Sequence, residues 1–527
     1  MDDVNLTPHV LHSPVRACSS IPGILILEGN KTYGRERRPK ASLGRLLYKC
    51  VPDDKRLPAF VVPYELKHIG FSKVFTNLYV TMRFDQWVDK HPRGKLEQVI
   101  GPIDVLDHFY EYQLYCKSLH ASIQPFQKAA THSLQGITQD SLLDAILAKV
   151  PAIEDRTHQR VFTIDPHGSA DLDDGVSICT EGDTTVISVY IADVALWLDH
   201  LGLWDAFSNR VATIYLPDKK RPMLPTILSD GLCSLHQGVR RLAFVMDLRI
   251  RDHTMVDISF GNAVIQVDTN FAYEEDRLLC DSSYLHLCSV VKALYARYPF
   301  GDPIYDSHDV VSYLMITMNY HCAKTFQAQQ CGIFRTTIMS HTPVDLPHSV
   351  PDEVRRFVTM WATTSGRYVT RDHILLDHSV LNLDAYTHIT SPIRRLVDLL
   401  NLICKNRPLL SESAGRFFDK WVADLDIINT AMRSIRKIQC DSQLLDRCQR
   451  DPSVLNSVYD GYLFDKWARD DGLYQYTVYL PALKLSSRII QRRPLDTYVA
   501  TPCRLYWFTN EDTFKRKIRV QVLDEVA

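Results

Sequence analysis

Four aspartates cluster in the run FTIDPHGSADLDDG, residues 162–175. Asp165, Asp171, Asp173 and Asp174 fall within ten positions, and the run contains no Lys or Arg to neutralise them. Carboxylate oxygens are ligands that Mg²⁺ prefers, and crowded carboxylates raise one another's pKa unless cations compensate. The cluster is therefore a candidate two-metal site, where ions clamp a scissile phosphate and activate a water. Spacing alone supports a solvated turn, built around the proline and glycines of the run, equally well.

Composition narrows the class of protein that could hold such a site. Hydrophobic residues make up 46% of the 527 residues and charged residues 23%, as in ordinary globular proteins. Lys and Arg number 60 against 62 Asp and Glu, which gives a net charge of -2. The surface is not basic overall, so any site for a polyanion must be local. A chain of this length predicts roughly two to four domains.

Cysteine usage and hydropathy indicate a compartment. The 13 cysteines include no CxxC pair, which favours neither a zinc site nor a disulfide framework. No stretch approaches the apolar length of a membrane span, and the N-terminus lacks the apolar core of a signal peptide. We therefore expect a soluble protein without membrane association, in the cytoplasm by default. Nuclear, mitochondrial and viral settings stay open as alternatives.

The elements that must position the aspartates form an α+β multidomain chain. Short runs such as GILIL and LGRLLYKCV predict a small barrel or sandwich. VISVYIADVALWL, residues 186–198, reads as a strand, and IRRLVDLLNLICK, residues 393–405, as an amphipathic helix. The predicted regions are a loose tail (1–20), a β domain (21–110), a helical linker (111–154), a mixed α/β domain (155–450) and a second β domain (451–527).

Three motifs, in a fixed order, resemble the RNase II (RNB) family of exoribonucleases. They are TIDPHGSADLDD, the segment IYLPDKKRPMLPTILSDGLCSLHQGVRRLAF at 214–244, and YTHITSPIRRLVDLL at 386–400. A weaker fourth match joins Asn319 to Arg335. Motifs of this length in the family's order make a specific signal, and the resemblance implies a central mixed α/β RNB catalytic domain.

The flanking regions extend the resemblance. VPDDKRLPAFVVP looks like a cold-shock domain of OB type, and VYDGYLFDKWARDDGLYQYTVYLP is similar to an S1 domain, another OB fold. OB folds bind single strands with basic grooves and stacking aromatics. In these flanking regions the sequence is most similar to the eukaryotic family members that resemble the exosome catalytic subunit. We find no match to their first cold-shock domain or PIN domain, which argues against a standard exosome subunit.

The resemblance assigns roles to the acidic run and to one arginine. Asp165 and Asp174 match the family's Mg²⁺ ligands, and Asp171 and Asp173 complete the acidic set. Asp173 matches the aspartate most critical for the chemical step. Arg394, the first arginine of SPIRR, matches the catalytic arginine, whose guanidinium would stabilise charge on the phosphate.

Other residues are implied in contacts with RNA. Tyr215 corresponds to the tyrosine that stacks near the 3′ end, although an isolated IYLP is equally typical of a buried strand tyrosine. Arg335 is a candidate RNA contact, and Arg395 is a channel or structural cation. The charge run at 219–221 could line the RNA path or form a solvated face.

The implied activity is hydrolysis of RNA. We expect a Mg²⁺-dependent 3′-to-5′ exoribonuclease, with two ions and with Mn²⁺ able to substitute. A monomer would degrade single-stranded RNA processively from its 3′ end to nucleoside 5′-monophosphates. The alternative is a catalytically inactive RNA-binding or assembly protein that keeps the fold. A nuclease acting on DNA is a third, more remote reading.

Several positions depart from the family pattern. Leu396 stands where a tyrosine usually follows SPIRR, and Asn401 and Leu402 replace a His-Arg pair. The family's glutamate of the later helix has no clear counterpart, although Asp441 lies nearby. These departures affect supporting positions and RNA contacts more than the reaction.

Overall fold

The computed structural model builds most of the chain from three large β-sheet units joined by helices. No helix in the described ranges is both long and apolar enough to cross a membrane. Residues 1–12 of the predicted tail lie outside those ranges. The described residues are 13–36, 44–66, 75–88, 90–337, 346–362, 366–373, 376–510 and 516–523.

The N-terminal strands close into a five-stranded barrel, as the prediction of an OB-type domain requires. Its core includes the buried side chains of Tyr48, Phe60 and Met82, which point inward because alternate residues of a strand face the same side. The elements are α1 (Pro14–Ala17), β1 (Ile21–Leu25), β2 (Leu46–Pro52), β3 (Phe60–Tyr64), β4 (Leu78–Gln86) and β5 (Arg93–Pro102), in the barrel order β1-β2-β3-β5-β4.

Three helices lead from the barrel to the central region. The side chain of Thr138 caps the third of them by accepting a hydrogen bond from the Ser141 amide at 3.2 Å. Tyr110 and Tyr112 of the first helix are buried in a core that also contains Tyr79 of the barrel. This packing joins the two units. The helices are α2 (Leu106–Cys116), α3 (Gln124–Ser133) and α4 (Gln139–Lys149).

A six-stranded sheet forms the centre of the molecule. Its longest strand pairs with Arg240–Arg251 along most of its length and in parallel with the strand ending at Asp165. The elements are β6 (Glu154–Asp155), β7 (Val161–Asp165), β8 (Asp174–Glu181), β9 (Thr184–Ala192), α5 (Val194–His200), β10 (Ile214–Tyr215), β11 (Lys220–Arg221), β12 (Arg240–Arg251) and β13 (Thr254–Ala272), with sheet order β12-β9-β8-β7-β13-β6.

One predicted strand is two elements. VISVYIADVALWL ends its strand at Ala192, and a helix begins at Val194. The cause is Asp193, whose buried carboxylate accepts a hydrogen bond from the Leu196 amide at 3.1 Å and so caps the helix. Apolar residues on both sides of the cap hide the change of periodicity.

Helices cover the central sheet and extend toward the C-terminus. The helix predicted from Ile393 begins three residues later, after a turn that contains both arginines of SPIRR. The elements are α6 (Asp276–Leu279), α7 (Ser282–Arg297), α8 (Ser307–Gln329), β14 (Ile333–Thr336), α9 (Asp352–Ala362), β15 (Arg367–Thr370), α10 (Leu396–Lys405), α11 (Glu412–Ala423), α12 (Leu425–Arg450) and α13 (Ser453–Asn456).

An antiparallel five-stranded sheet ends the chain. It lies within the range predicted for an S1-like OB domain, and that assignment stays a prediction, as do the predicted domain boundaries. The strands are β16 (Val458–Ala468), β17 (Tyr474–Leu480), β18 (Leu485–Gln491), β19 (Ala500–Thr509) and β20 (Arg516–Val522), in the order β18-β17-β16-β19-β20.

Candidate active site

The acidic run connects two neighbouring strands of the central sheet. Asp165 ends β7 and Asp174 begins β8, and Gly168 turns the loop between them with a φ of 80° that favours glycine. Two hydrogen bonds hold the loop: the Leu172 amide donates to the side-chain Oγ of Ser234 at 3.0 Å, and the Ala192 amide donates to the Asp173 carbonyl at 2.8 Å. The four aspartates therefore lie together where two central strands of the sheet are connected.

Asp173 is the most enclosed of the four, with 2% of its surface exposed. Its carboxylate accepts a hydrogen bond from the Ile393 amide and another from Arg394 Nε, each at 2.9 Å. Burial raises the pKa of Asp173 to about 7, and Arg394 and the Ile393 amide oppose that rise. The predicted catalytic pair, Asp173 and Arg394, is thus in direct contact although 221 residues separate its members.

Asp165 and Asp174 are short of partners. Burial raises the pKa of Asp165 to about 6. Burial, then the charges of Asp165 and Asp173, raise the pKa of Asp174 well above its usual value. Within the described structure, Asp165 Oδ2 is buried without a hydrogen-bond partner. Arg394 favours the ionised form of both carboxylates, but burial outweighs it and keeps the two pKa values raised.

Asp171 is held on the other side of the loop. It accepts hydrogen bonds from the Tyr215 hydroxyl and from Lys220 Nζ, both at 3.1 Å, and Lys220 also reaches Asp230 at 3.0 Å. The Tyr215 amide donates to Gln439 on α12 at 3.1 Å. Burial, followed by Asp171, raises the pKa of Tyr215. Tyr215 as a whole keeps 37% of its surface exposed.

The two arginines of SPIRR serve different carboxylates. Arg394 binds Asp173 and leaves 46% of its side chain exposed. Arg395 Nη2 binds the fully buried Asp398 at 2.8 Å and Ser391 Oγ at 3.2 Å. The contacts of Arg395 fit the structural reading of this cation better than a channel contact.

Asn319 and Arg335, the residues of the weaker fourth match, make contacts near the segment that contains SPIRR. Asn319 accepts from the Ile389 amide at 2.9 Å and donates to the Tyr386 hydroxyl at 3.1 Å, so it supports the segment that leads into SPIRR. Arg335 stacks over Tyr368 at 4.9 Å, and burial lowers its pKa. Asn401, at a departure from the family pattern, exchanges hydrogen bonds with the backbone of Ile333.

The carboxylates fit a divalent cation in part. Asp165 and Asp174 have raised pKa values, and Asp165 has an orphaned oxygen, which are conditions that a cation would relieve. Asp171 and Asp173 are engaged by cationic side chains. Across the described ranges, no group of three or more His, Cys, Asp or Glu side chains is arranged as a metal centre. Asp165 and Asp174 are therefore the first candidates to hold a divalent cation, and Asp171 and Asp173 would have to exchange partners to join them.

The predicted charge run 219–221 divides between two roles. Lys220 joins the site through Asp171, whereas Arg221 is buried and pairs with Asp218 and Glu111. A run of like charges gave no sign of this division. Gln439 was missed as well, and its amide side chain carried no signal because its partner lies 224 residues away.

Known proteins are similar to parts of this sequence. The model of the RNB domain matches residues 153–283. DIS3-like exonuclease 2 of Schizosaccharomyces pombe is 28% identical over 270 residues, which cover 47% of this chain and 28% of that relative. The chain thus matches about a quarter of that relative's length.

Two solved structures share the fold. A complex of Mycoplasma genitalium RNase R with double-stranded RNA matches with a TM-score of 0.68 at 16% identity, covering 97% of each chain. Yeast Ssd1, described as a pseudonuclease, matches with a TM-score of 0.58 at 14% identity, covering 92% of this chain and 66% of that one. At these identities the likeness concerns the fold alone, and it extends to a protein described as a pseudonuclease.

Proposed function

From the RNB domain that this chain contains, we propose that the protein is a hydrolytic 3′-to-5′ exoribonuclease. It would degrade single-stranded RNA processively to nucleoside 5′-monophosphates and depend on Mg²⁺, with Mn²⁺ able to substitute. The observation that supports this best is the contact of Arg394 with Asp173 at 2.9 Å, beside two further carboxylates with raised pKa values. The guanidinium of Arg394 could bind the phosphate of a phosphodiester, and the neighbouring carboxylates could bind the metal ion that the reaction needs.

The carboxylates account for the expected metal dependence. Asp165 and Asp174 would hold Mg²⁺, and Asp173 and Asp171 would complete the set after leaving Arg394 and Lys220. A bound divalent cation supplies charge to the scissile phosphate and lowers the pKa of a water. Buried carboxylates with a pKa near 6 or 7 are only partly ionised at neutral pH without it.

Arg394 would act on the phosphate directly. Its Nε is fixed by Asp173 and its Nη2 lies 3.3 Å from Ser391 Oγ, while nearly half of the side chain stays exposed. A guanidinium held in this way needs little reorganisation when charge develops on the phosphate oxygens. If Asp173 turned to the metal, the Nε–H would also become available to the substrate.

Tyr215 would position the terminal base. Its hydroxyl is tied to Asp171 and its amide to Gln439, which orients the ring beside the acidic loop. Stacking of a base on an aromatic ring contributes about 1–3 kcal/mol and tolerates any sequence. An exonuclease that must accept every nucleotide needs this kind of contact.

The proposal includes the setting of the reaction. The protein would bind single-stranded 3′ ends as a cytoplasmic monomer, without stable membrane or exosome association. The N-terminal barrel and the C-terminal sheet would contact RNA outside the catalytic domain as cold-shock and S1 domains do.

One assay tests the activity. RNA and DNA oligonucleotides labelled at the 5′ end are incubated with Mg²⁺ or EDTA, beside Asp173→Asn. We expect a metal-dependent ladder on RNA only and bound but intact RNA with the variant. Equal degradation of DNA would contradict the proposed specificity for RNA. Cleavage that persists in EDTA would contradict the proposed dependence on a metal.

A catalytically inactive RNA-binding protein is the second candidate. The pairing of Asp173 with Arg394 and of Asp171 with Lys220 leaves fewer carboxylates for a metal, and the fold is shared with a pseudonuclease. This candidate predicts tight RNA binding by the unaltered protein with no product at any concentration of Mg²⁺ or Mn²⁺.

A further inference from the structure

A second polar cavity lies between α2, α12 and the C-terminal sheet. Its volume is about 600 Å³. One carboxylate, Asp441, is found among its described lining residues. Six cationic side chains also line it, and we call it the basic cleft: Lys117, Lys437, Arg488, Arg516, Lys517 and Arg519.

The basic cleft is separate from the candidate active site. Gln439 of α12 faces Tyr215, whereas Lys437 and Asp441 stand two positions before and after it, which places them about 160–200° away around the helix. Helix α2 packs between the two sites. The Tyr110 hydroxyl donates to the Ser442 carbonyl at 3.4 Å on one side of α2.

The same helix is tied to the hairpin of Tyr215 on its other side. Glu111 of α2 accepts a hydrogen bond from Arg221 at 3.0 Å, and Arg221 belongs to the strand that pairs with Tyr215. The basic cleft therefore does not open into the acidic site through this wall, and a ligand there would not touch the catalytic residues.

Among the described residues that line the cleft, cations outnumber carboxylates. Lys117, Lys437 and Arg488 form no ion pair within the described part of the chain. Desolvation raises the pKa of Asp441, and Lys437, Lys517 and Lys117 all act on it in the opposite direction, which places these three lysines close to one carboxylate. Cations held this near one another disfavour each other's charge, and an anion would relieve that cost.

The shape of the cleft favours a chain of phosphates. The cations come from four separate parts of the chain, the C-terminal end of α2 and the elements α12, β18 and β20, and they line one cavity of about 600 Å³, which is larger than one phosphate group. The partly buried Ile518 also lines the cleft and could contact ribose or base. A strand of linked phosphates, with sugars and bases between them, matches cations that are spread over a cavity of this size.

We propose that the basic cleft binds the phosphate backbone of single-stranded RNA, away from the 3′ end that enters the active site. It would anchor the part of the strand that is not being cleaved. The inference rests on the RNA binding in the proposed function and not on hydrolysis, so it would hold equally for an inactive RNA-binding protein.

The test measures RNA affinity against salt concentration. Asp173→Asn serves as the background so that RNA is not consumed. Lys117→Gln with Lys437→Gln removes two exposed cations from two walls of the cleft. Lys128→Gln with Lys149→Gln, on α3 and α4, is the matched control, since both lysines are exposed and lie outside the cleft.

RNAs of about 20 and about five nucleotides separate the two sites. The cleft variant should bind the longer RNA roughly tenfold more weakly at low salt, and its slope of log affinity against log salt should fall by about 1.4, from two contacts at about 0.7 each. The control should match the background. Neither variant should change binding of the short RNA.

Three results would overturn the proposal. An unchanged affinity and slope for the longer RNA would exclude phosphate contacts in the cleft. Equal losses for both lengths would place the two lysines on the path to the active site. Binding of tripolyphosphate that the cleft variant loses, with the longer RNA unaffected, would assign the cleft to small polyphosphates instead.

The assay also separates this inference from the proposed activity. Hydrolysis of the short RNA by the protein with its native Asp173 reports on the active site alone. If that protein leaves RNA intact but the length-dependent loss is seen, the exonuclease proposal fails and the anchoring site stands.

Discussion

The two faces of α12 border polar sites of opposite charge. On one face, Gln439 supports Tyr215 beside an acidic loop whose carboxylates have too few cations. On the other face, Lys437 borders a cleft whose described lining residues include six cations and one carboxylate. The net charge of -2 hides both sites because they offset each other. We propose that each site binds a ligand of opposite charge, a divalent cation in the first and the phosphates of RNA in the second.

The largest difference between the two sites is expected when Asp173, the buried carboxylate of the acidic site, is neutralised. Asp173→Asn keeps an acceptor for the Ile393 amide but removes the charge that pairs with Arg394. We expect single-turnover hydrolysis to fall by about 10²–10⁴-fold, the range for a lost acid–base or orienting group. RNA affinity should stay within a few fold. A variant that retains activity would exclude Asp173 from the chemical step.

Replacing each of the two neighbouring arginines by lysine tests whether their different partners give them different functions. Arg394→Lys should lower kcat by about 10²–10³-fold because the fork that meets a phosphate is lost. Unfolding in urea should change little. Similar effects of Arg394→Lys and Arg395→Lys on kcat would contradict the division.

Removing Arg395 should instead affect stability. Arg395→Ala leaves the buried Asp398 without its cation, so the free energy of unfolding should fall by about 3–5 kcal/mol. Urea titration measures the change. Asp398→Asn serves as a control, because it removes the buried charge and should destabilise less in the Arg395→Ala background than alone.

A smaller effect is expected at the aromatic contact beside the acidic loop. Tyr215→Ala should weaken RNA binding by about 1–3 kcal/mol, and Tyr215→Phe should recover most of that loss because it retains the stacking face. Fluorescence titration with a short RNA in the Asp173→Asn background gives both values. Equal losses in Ala and Phe would assign the contribution to the hydroxyl and its bond to Asp171.

The smallest predicted effect is a dependence of metal binding on pH. The pKa values of Asp165 and Asp173 are raised to about 6 and about 7, above the unfolded value of 3.8. The folded, metal-free protein therefore holds protons that the unfolded chain releases, so these groups lower stability as pH rises from about 4 to 7. Bound Mg²⁺ requires the ionised forms.

Thermal unfolding at two pH values measures this linkage. Mg²⁺ should raise the Tm by more at pH 7.5 than at pH 5.5, and Asp165→Asn should reduce the difference. The basic cleft has no such requirement for a cation, so Lys117→Gln with Lys437→Gln should leave the Mg²⁺ effect unchanged. An equal rise at both pH values would mean that these carboxylates are not the ligands.

Sequence patterns predicted the barrel and the RNB-type centre, and they predicted that the aspartates of the acidic loop lie together, whereas the roles of these residues stay predictions. The loop lies within fourteen consecutive positions, so its members had to be neighbours whatever the fold. The end of a strand was predicted less well where apolar residues continue into the helix that follows it. Asp193 interrupts an apolar run that reads as one strand, and its capping hydrogen bond is visible only in the structure.

The division between Arg394 and Arg395 could not be predicted from their adjacency. Both belong to the same motif and have the same side chain. The helix begins at Leu396, so the two arginines lie in a turn where successive side chains diverge. One reaches Asp173 on the sheet, and the other reaches Asp398 one turn into the helix.

By itself, the sequence determined which local groups exist: four crowded carboxylates, a strand tyrosine and an arginine pair. Their spacing follows from covalent connection, and it needs no knowledge of the fold. Only the tertiary structure decided which distant groups meet them, Arg394 at Asp173 and Gln439 at Tyr215. It alone assembled the basic cleft from residues 117 to 519. Charges far apart in the chain interact only when packing brings them within a few ångströms, because water screens them otherwise.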